Sequence, residues 1–350
     1  MYKTFAIGFL KYVVGFGLLA FVIHSNWEPS AGSPGIRNLL QQRPNYDLLG
    51  AIVILTAITV SCQITRWYLL ARALELPFRL SDAFRLGMVG YYYNIVLPGA
   101  VGGDFLKAYF MYREHPERRA AAVATVVVDR MLGLFGLLLF AALFGGAFWI
   151  LGDPRVVGNG YLEKIIAISA GLVLAAVAGW VVLGLLPPAR STAFENALRG
   201  LKWVGPTLAD LWAAAAMFRQ RPKFLYLTIP ITAFAQTIMI VYLHLAVRVF
   251  PGPEIGTFAE HCIIGPIGYI AQAFFPAPGG VGGAEAIFGY LYTLIGRPEQ
   301  AAVIGRLTMR VAEIGLGVLG YIVYLSKKAE LPIPESETGE QKIASSPAAE

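Results

Sequence analysis

The chain has 350 residues, 57% of them apolar, and only 14% are Asp, Glu, Lys or Arg, against roughly 25% in ordinary soluble domains. That excludes a soluble two-domain protein: no charged residue occurs from Met131 to Gly152, from Ile165 to Ala189 or from Phe224 to Val247, and each run reaches the ~20 residues a helix needs to cross the hydrocarbon core. The net charge of +6 does not indicate nucleic acid, because the basic residues lie between apolar runs, where they orient helices and meet anionic headgroups.

Six full crossings are predicted, at about 5–23, 48–70, 121–150, 165–186, 224–247 and 301–325. The first is read as a membrane helix and not a secretory signal, since Lys11 interrupts it and no small-residue cleavage site follows. Two further apolar stretches, about 84–111 and 259–296, are broken by Pro and Gly. The stretch 194–218 places Leu208, Leu211, Trp212, Ala215 and Phe218 on one helical face among basic flanks. It reads either as a helix lying on anionic lipid or as a packed linker between two halves. The end of the chain, 326–350, is polar and Pro/Glu/Ser-rich and is expected to be a disordered cytoplasmic tail. Cys62 and Cys262 sit inside apolar segments and read as small buried hydrophobes. The four histidines have no metal-ligand spacing, so neither metal nor other cofactor is expected. His244 reads as a polar contact inside the bundle and His261 as a loop residue.

Connections 72–119 and 187–223 carry seven and six Lys or Arg, whereas 24–47, 151–164 and 248–300 carry two each. The positive-inside rule puts both termini and the two basic connections in the cytoplasm. Six crossings satisfy that parity only if each broken stretch enters and leaves on one side, as a re-entrant hairpin buried in protein or lining a wet cavity. Eight crossings is the competing count.

The two broken stretches repeat each other. Pro98-Gly99-Ala100-Val101-Gly102-Gly103 recurs as Pro278-Gly279-Gly280-Val281-Gly282-Gly283 at an offset of 180, and at that same offset Ala121-Ala122-Val123 matches Ala301-Ala302-Val303 and Arg130 matches Arg310. The charge count starts the two units on opposite sides, which predicts an inverted-topology repeat, about 48–150 and 224–325, within a membrane domain 1–325. Broken segments at corresponding positions of inverted halves mark a transporter's binding site. Pro ends a helix for want of an amide donor. The glycines permit positive φ and close approach, and the helix that restarts presents free N–H groups to an anion. Glycines that merely let helices pack tightly would look the same.

Charges lie where lipid would be: Arg66, Asp129-Arg130, Arg306, Arg310 and Glu313, with Asp104, Lys107 and Glu285 following the glycine motifs. Such residues usually face a bundle interior. Arg130 and Arg310 are the candidate headgroup ligands, because a planar guanidinium grips phosphate oxygens in pairs. Asp104, Asp129, Glu285 and Glu313 are their candidate charge partners. Arg310 and Glu313, three apart, are expected to neutralise each other, and Arg66 and Arg306 read equally well as residues that snorkel to an interface.

Tyr91-Tyr-Tyr-Asn94-Ile-Val-Leu-Pro98-Gly99, Gly102-Gly103-Asp104 with Lys107, Asp129-Arg130-Met131, Pro276-Ala-Pro278-Gly279-Gly280-Val-Gly282 with Glu285, and Arg310 together resemble the flippase-like family of the lysylphosphatidylglycerol synthase transmembrane region, over about 10–325. The resemblance implies a membrane domain that moves lipids or lipid-linked headgroups between leaflets. It makes Asn94, Pro98, Gly102, Asp104, Arg130, Pro278, Gly279, Gly282, Glu285 and Arg310 the candidate functional positions. Asn94 and Lys107 join Arg130 and Arg310 as the headgroup-binding candidates that the resemblance implies, Lys107 standing where the family more often has Arg. The large soluble domain of the aminoacyl-transferring members is not seen after the membrane part, so enzymatic activity is not expected. The expected partner is a membrane phospholipid or a polyprenyl-linked lipid. The competing functions are a non-transporting subunit that scaffolds lipid or glycan biosynthetic enzymes, and an intramembrane lipid-modifying enzyme. Neither the lipid nor the oligomeric state is fixed by the sequence.

Overall fold

The computed structural model describes residues 2–29, 35–97, 102–202, 205–250 and 255–326. Among them every regular element is helical, as an all-α integral membrane protein requires when the bilayer core offers the backbone no water. The chain runs α1 (Tyr2–Ser25), the short α2 (Gly35–Leu40), α3 (Tyr46–Ala73), α4 (Leu80–Val96), α5 (Gly102–Glu114) and α6 (Arg119–Phe140). A π turn at Ala141–Gly145 joins α6 to α7 (Gly146–Ile150), and α8 (Gly160–Leu185), α9 (Pro188–Arg199) and α10 (Gly205–Met217) follow. Next come α11 (Pro222–Ala246), α12 (Phe258–Ala273), a 3-10 turn at Pro278–Gly280, α13 (Gly283–Leu294) and α14 (Glu299–Ser326). Among the described residues six helical segments are long and apolar enough to span a membrane: Gly8–Ser25, Tyr46–Ala73, Arg119–Ile150, Gly160–Leu185, Pro222–Ala246 and Glu299–Ser326. Of the expected tail, Ser326 closes α14, and the remainder lies outside the described residues.

Local chemistry sets the boundaries. Asn45 caps α3 by accepting from the Asp47 and Leu48 amides at 3.1 and 3.2 Å. Thr257 and Glu260 form a capping box at the start of α12. Pro188 and Pro222 occupy the first turns of α9 and α11, where a missing amide costs nothing.

Contacts between connections define the two ends of the bundle. At one end Arg221 pairs with Glu75, Arg118 donates to the Leu74 and Glu75 carbonyls, and Arg219 donates to Gly184 O. At the other, Arg155 and Arg297 both reach Glu260, Asn159 donates to Leu294 O, and the Asn45 amide donates to Val249 O. The basic connections thus gather at one end and the poorly basic ones at the other. Both open ends of the α4–α5 hairpin lie at the basic end, between Leu74 and Arg118. Those of the α12–α13 hairpin lie at the opposite end, beside Glu260 and Leu294. The C-terminal end of α4 meets the turn of the second hairpin inside the bundle, where Ile95 packs on Gly279.

Within 194–218 the packed-linker reading is the one that holds: α9 and α10 pack on each other, α10 packs on α6, and Ala214 and Phe218 are buried with Leu70, Ala124 and Val128. His261 is corrected. It is not in a loop but in the first turn of α12, fully buried, because the chain after Gly256 turns helical at the Thr257 cap. Its Nδ1 lies 3.1 Å from His244 Nδ1 and its Nε2 lies 2.6 Å from the Tyr292 hydroxyl.

Candidate functional site

Each hairpin is closed by an approach that only glycine permits. In the first, a Cβ on Gly103 would stand 1.8 Å from the Gly90 carbonyl oxygen, so α4 and α5 cross there backbone on backbone. The Gly103 amide donates to Asn94 Oδ1 at 2.8 Å, which makes Asn94 the cap of the restarting helix. Pro98 and Gly99 lie outside the described residues, and Gly102 opens α5. In the second hairpin Pro278 is buried, and Gly279, Gly280 and Gly282 hold φ of +55°, +67° and +77°. This left-handed backbone is open to glycine at little steric cost. Glu285 Oε2 accepts the Gly282 amide at 2.8 Å. Glu285 therefore does for α13 what Asn94 does for α5.

The charges resolve into four pairs, each joining an arginine to a carboxylate. Arg66 Nε donates to Asp129 Oδ1 at 2.7 Å, Arg66 Nη2 to Asp129 O at 3.1 Å and Arg66 Nη1 to the Thr232 hydroxyl at 3.2 Å, which ties together α3, α6 and α11. Arg130 Nε pairs with Asp104 Oδ2, and Lys107 Nζ lies 3.5 Å from Asp104 Oδ1 and over the Trp67 ring. Arg310 Nε donates to Glu285 Oε1 at 2.7 Å and its Nη1 to Gly279 O at 3.2 Å. Arg306 Nη1 and Nη2 donate to the two oxygens of Glu313 at 2.7 and 3.1 Å. The expected Arg310–Glu313 pair does not form. Seven residues are two helical turns, so Arg306 and Glu313 share one stripe of α14, while the Gly282–Glu285 cap delivers a carboxylate to Arg310 from α13. Nor do Arg66 and Arg306 snorkel; their relative exposures are 6% and 0%.

Arg130 and Arg310 thus occupy corresponding places: each projects from a long helix onto the carboxylate just beyond a glycine turn. They differ in exposure, with 44% of the Arg130 side chain accessible and 9% of that of Arg310. Three buried polar atoms in the second half have no hydrogen-bond partner among the described residues: Arg310 Nη2, Arg306 Nε and Gln272 Oε1. Buried donors and acceptors are normally satisfied, which singles out Gln272. Its sequence signal was slight, a polar residue in an apolar stretch six positions before Pro278.

A family model described as the lysylphosphatidylglycerol synthase TM region matches residues 8–320. The chain belongs to this family. The match covers both hairpins and all four pairs of the lysylphosphatidylglycerol synthase TM region in this chain. A UPF0104 membrane protein of Methanocaldococcus jannaschii is 29% identical over 133 residues, 37% of this chain and 37% of its own length. The similarity thus spans about a third of that curated relative. No solved structure matches.

Outside the spans, the connection 151–159 carries a compact ion pair. Arg155 Nη2 lies 2.5 Å from Asp153 Oδ2, and hydrogen bonding from Arg155 holds the Asp153 carboxyl down at about 2.

Proposed function

We propose that this chain moves a lipid with an anionic headgroup between the leaflets of a cell membrane. The observation that carries the reading is the duplicated arginine–carboxylate pair in two hairpins that come from opposite ends and touch at Ile95 and Gly279. A charged side chain at the bilayer centre costs about 2.5–3.5 kcal/mol on insertion scales and more in simulations, and a headgroup charge meets the same kind of penalty. An arginine that exchanges its carboxylate for a headgroup phosphate keeps a counter-charge throughout, so no ion is left unmatched on the way. Arg130 and Arg310 are the ligands on this reading, Lys107 assists at the first, and Asp104 and Glu285 hold the arginines between turnovers. Asp129 and Glu313 have structural roles, fixing Arg66 and Arg306.

Positive-inside bias puts the basic end and both termini in the cytoplasm. The hairpins then enter and leave the membrane on one face each, re-entrant from opposite sides, and form the two gates of an inverted repeat. The carried lipid is a phospholipid or polyprenyl-linked lipid. Reconstitution tests the reading. Vesicles containing the protein should equilibrate fluorescent anionic phospholipids across the bilayer faster than protein-free vesicles. Folded protein that moves none of them would favour the scaffold for lipid or glycan biosynthesis instead.

A further inference from the structure

Helix α1 precedes both repeats and touches them in only a few places. Its outward face, with Phe9, Leu10, Phe16 and Phe21, is exposed. Its last turns are anchored: Val22 is buried with Ile36, Leu39, Val303 and Ile304, and Asn26 donates to Glu299 Oε1 at 3.2 Å. Its earlier turns lie across the hairpin tips. The Tyr12 hydroxyl donates to the Val96 carbonyl at 2.5 Å, beside the first tip. Gly15 is pressed on the second: a Cβ there would stand 2.6 Å from Ala277 Cβ and 3.2 Å from the Val281 carbonyl oxygen. A Cβ on Gly282 would stand 2.2 Å from the Gly15 carbonyl oxygen.

The turn 277–282 is therefore sandwiched. On its other side Arg310 donates to Gly279 O, and Gln272 flanks Gly280. Among the described residues Arg310 Nη2 is an unmatched donor there and Gln272 Oε1 an unmatched acceptor, a cost that a polar headgroup reaching the turn would remove. The contact between α1 and the turn is one of backbone shape, and the hydrogen bond that α1 makes beside it, to Val96, is neutral. Gly17, between the covering turns and the anchored ones, weakens the helix there by about 1 kcal/mol relative to alanine.

We propose that α1 is a hinged lid, fixed at Val22 and Asn26, whose Tyr12–Gly15 turns lift to admit a lipid headgroup sideways from the bilayer to Arg310 and Gln272. The inference rests on the lipid-transfer reading and names its point of access. Two measurements on the full chain, with Cys62→Ala and Cys262→Ala, test it. The first adds Gly15→Cys and Ala277→Cys and compares oxidised with reduced protein in phosphatidylcholine vesicles, following labelled phosphatidylserine by albumin extraction. Oxidised protein should fall to the protein-free rate and recover with reductant; transfer as fast as in the reduced state overturns the lid. The second places spin labels at the exposed positions Leu10 and Tyr290 and reads their separation by pulsed EPR with and without phosphatidylserine. A longer population should appear with the anionic lipid. If the wild-type chain transfers nothing, the transfer reading fails, and the EPR still decides the lid: an unchanged single distance overturns it. If the disulfide variant does not fold, or is inactive when reduced while the wild-type chain transfers, the EPR alone decides the lid in the same way.

Discussion

Truncating Arg310 to alanine leaves Glu285, which is fully buried, with the Gly282 amide as its remaining described donor. Breaking a buried pair in this way costs about 3–5 kcal/mol, because the remaining charge is stranded. The corresponding change, Arg130→Ala, is milder. Asp104 keeps Lys107 at 3.5 Å, and the Arg130 side chain is 44% exposed, so solvent screening brings the expected loss to about 1 kcal/mol. The gap of about 3 kcal/mol is roughly a hundredfold in the folded-to-unfolded ratio. Removing both members, Arg310→Ala with Glu285→Ala, takes the stranded charge away and should be less destabilising than the two single losses summed. Tryptophan fluorescence during denaturation in one detergent measures the three losses, and the vesicle assay measures transfer. Both single arginine variants should fail to transfer, but only Arg310→Ala should lose much stability. Equal losses for the two arginines, or an additive double variant, would refute the assignment of Glu285 as a buried counter-charge.

Gly103→Ala should prevent the α4–α5 hairpin from closing, since its Cβ would meet the Gly90 carbonyl oxygen at 1.8 Å; little monodisperse protein should survive size exclusion. A Gly50→Ala control, whose Cβ meets nothing within 4 Å, should behave as wild type. For orientation, Val157→Cys and Leu201→Cys are both at exposed positions. In intact cells an impermeant maleimide should label the first only, and labelling of both would refute the alternation of ends. Asp153 has its carboxyl lowered from 3.8 to about 2 by Arg155, so the stability this pair adds is present above pH ~4 and lost as pH falls towards 2. Asp153→Asn should therefore lower the thermal midpoint at neutral pH and close the gap with wild type at the acid end of a titration.

Much of this architecture is legible in the residues because apolar length alone decides a crossing. The six expected spans fall on α1, α3, α6 with α7, α8, α11 and α14, differing mainly at their ends, where capping residues such as Asn45 add a turn that hydropathy cannot see. The glycine motifs are legible for the same local reason, since positive φ at Gly279 and Gly282 is a property of the turn itself. The pairing of charges is not. Asp129 and Arg130 are neighbours in sequence yet point to different helices, Asp129 to Arg66 on α3 and Arg130 to Asp104 on α5. Glu313 lies three residues from Arg310 but binds Arg306, because Glu285 arrives from another helix. Partners set by helix packing leave no periodic trace in one chain. Gln272 is in the same position, distinguished only by the surroundings that leave its oxygen unmatched.

The two arginines also show how far the halves have drifted apart. Asp104 follows Gly102 by two positions, whereas Glu285 follows Gly282 by three. A carboxylate moved one residue along a helix is rotated by roughly 100° about the axis, and here it is the longer glutamate that meets Arg310. Position and side-chain length have changed together. A graft of the first motif into the second half, carrying an aspartate two residues after the last turn glycine, would supply the right charge in the wrong place. It would also leave the Gly282 amide without its acceptor, since in the first half Asn94 performs that task. The duplicated segments are therefore no longer exchangeable parts: each has acquired its own means of closing the turn, and a single exchange between them would break two contacts at once.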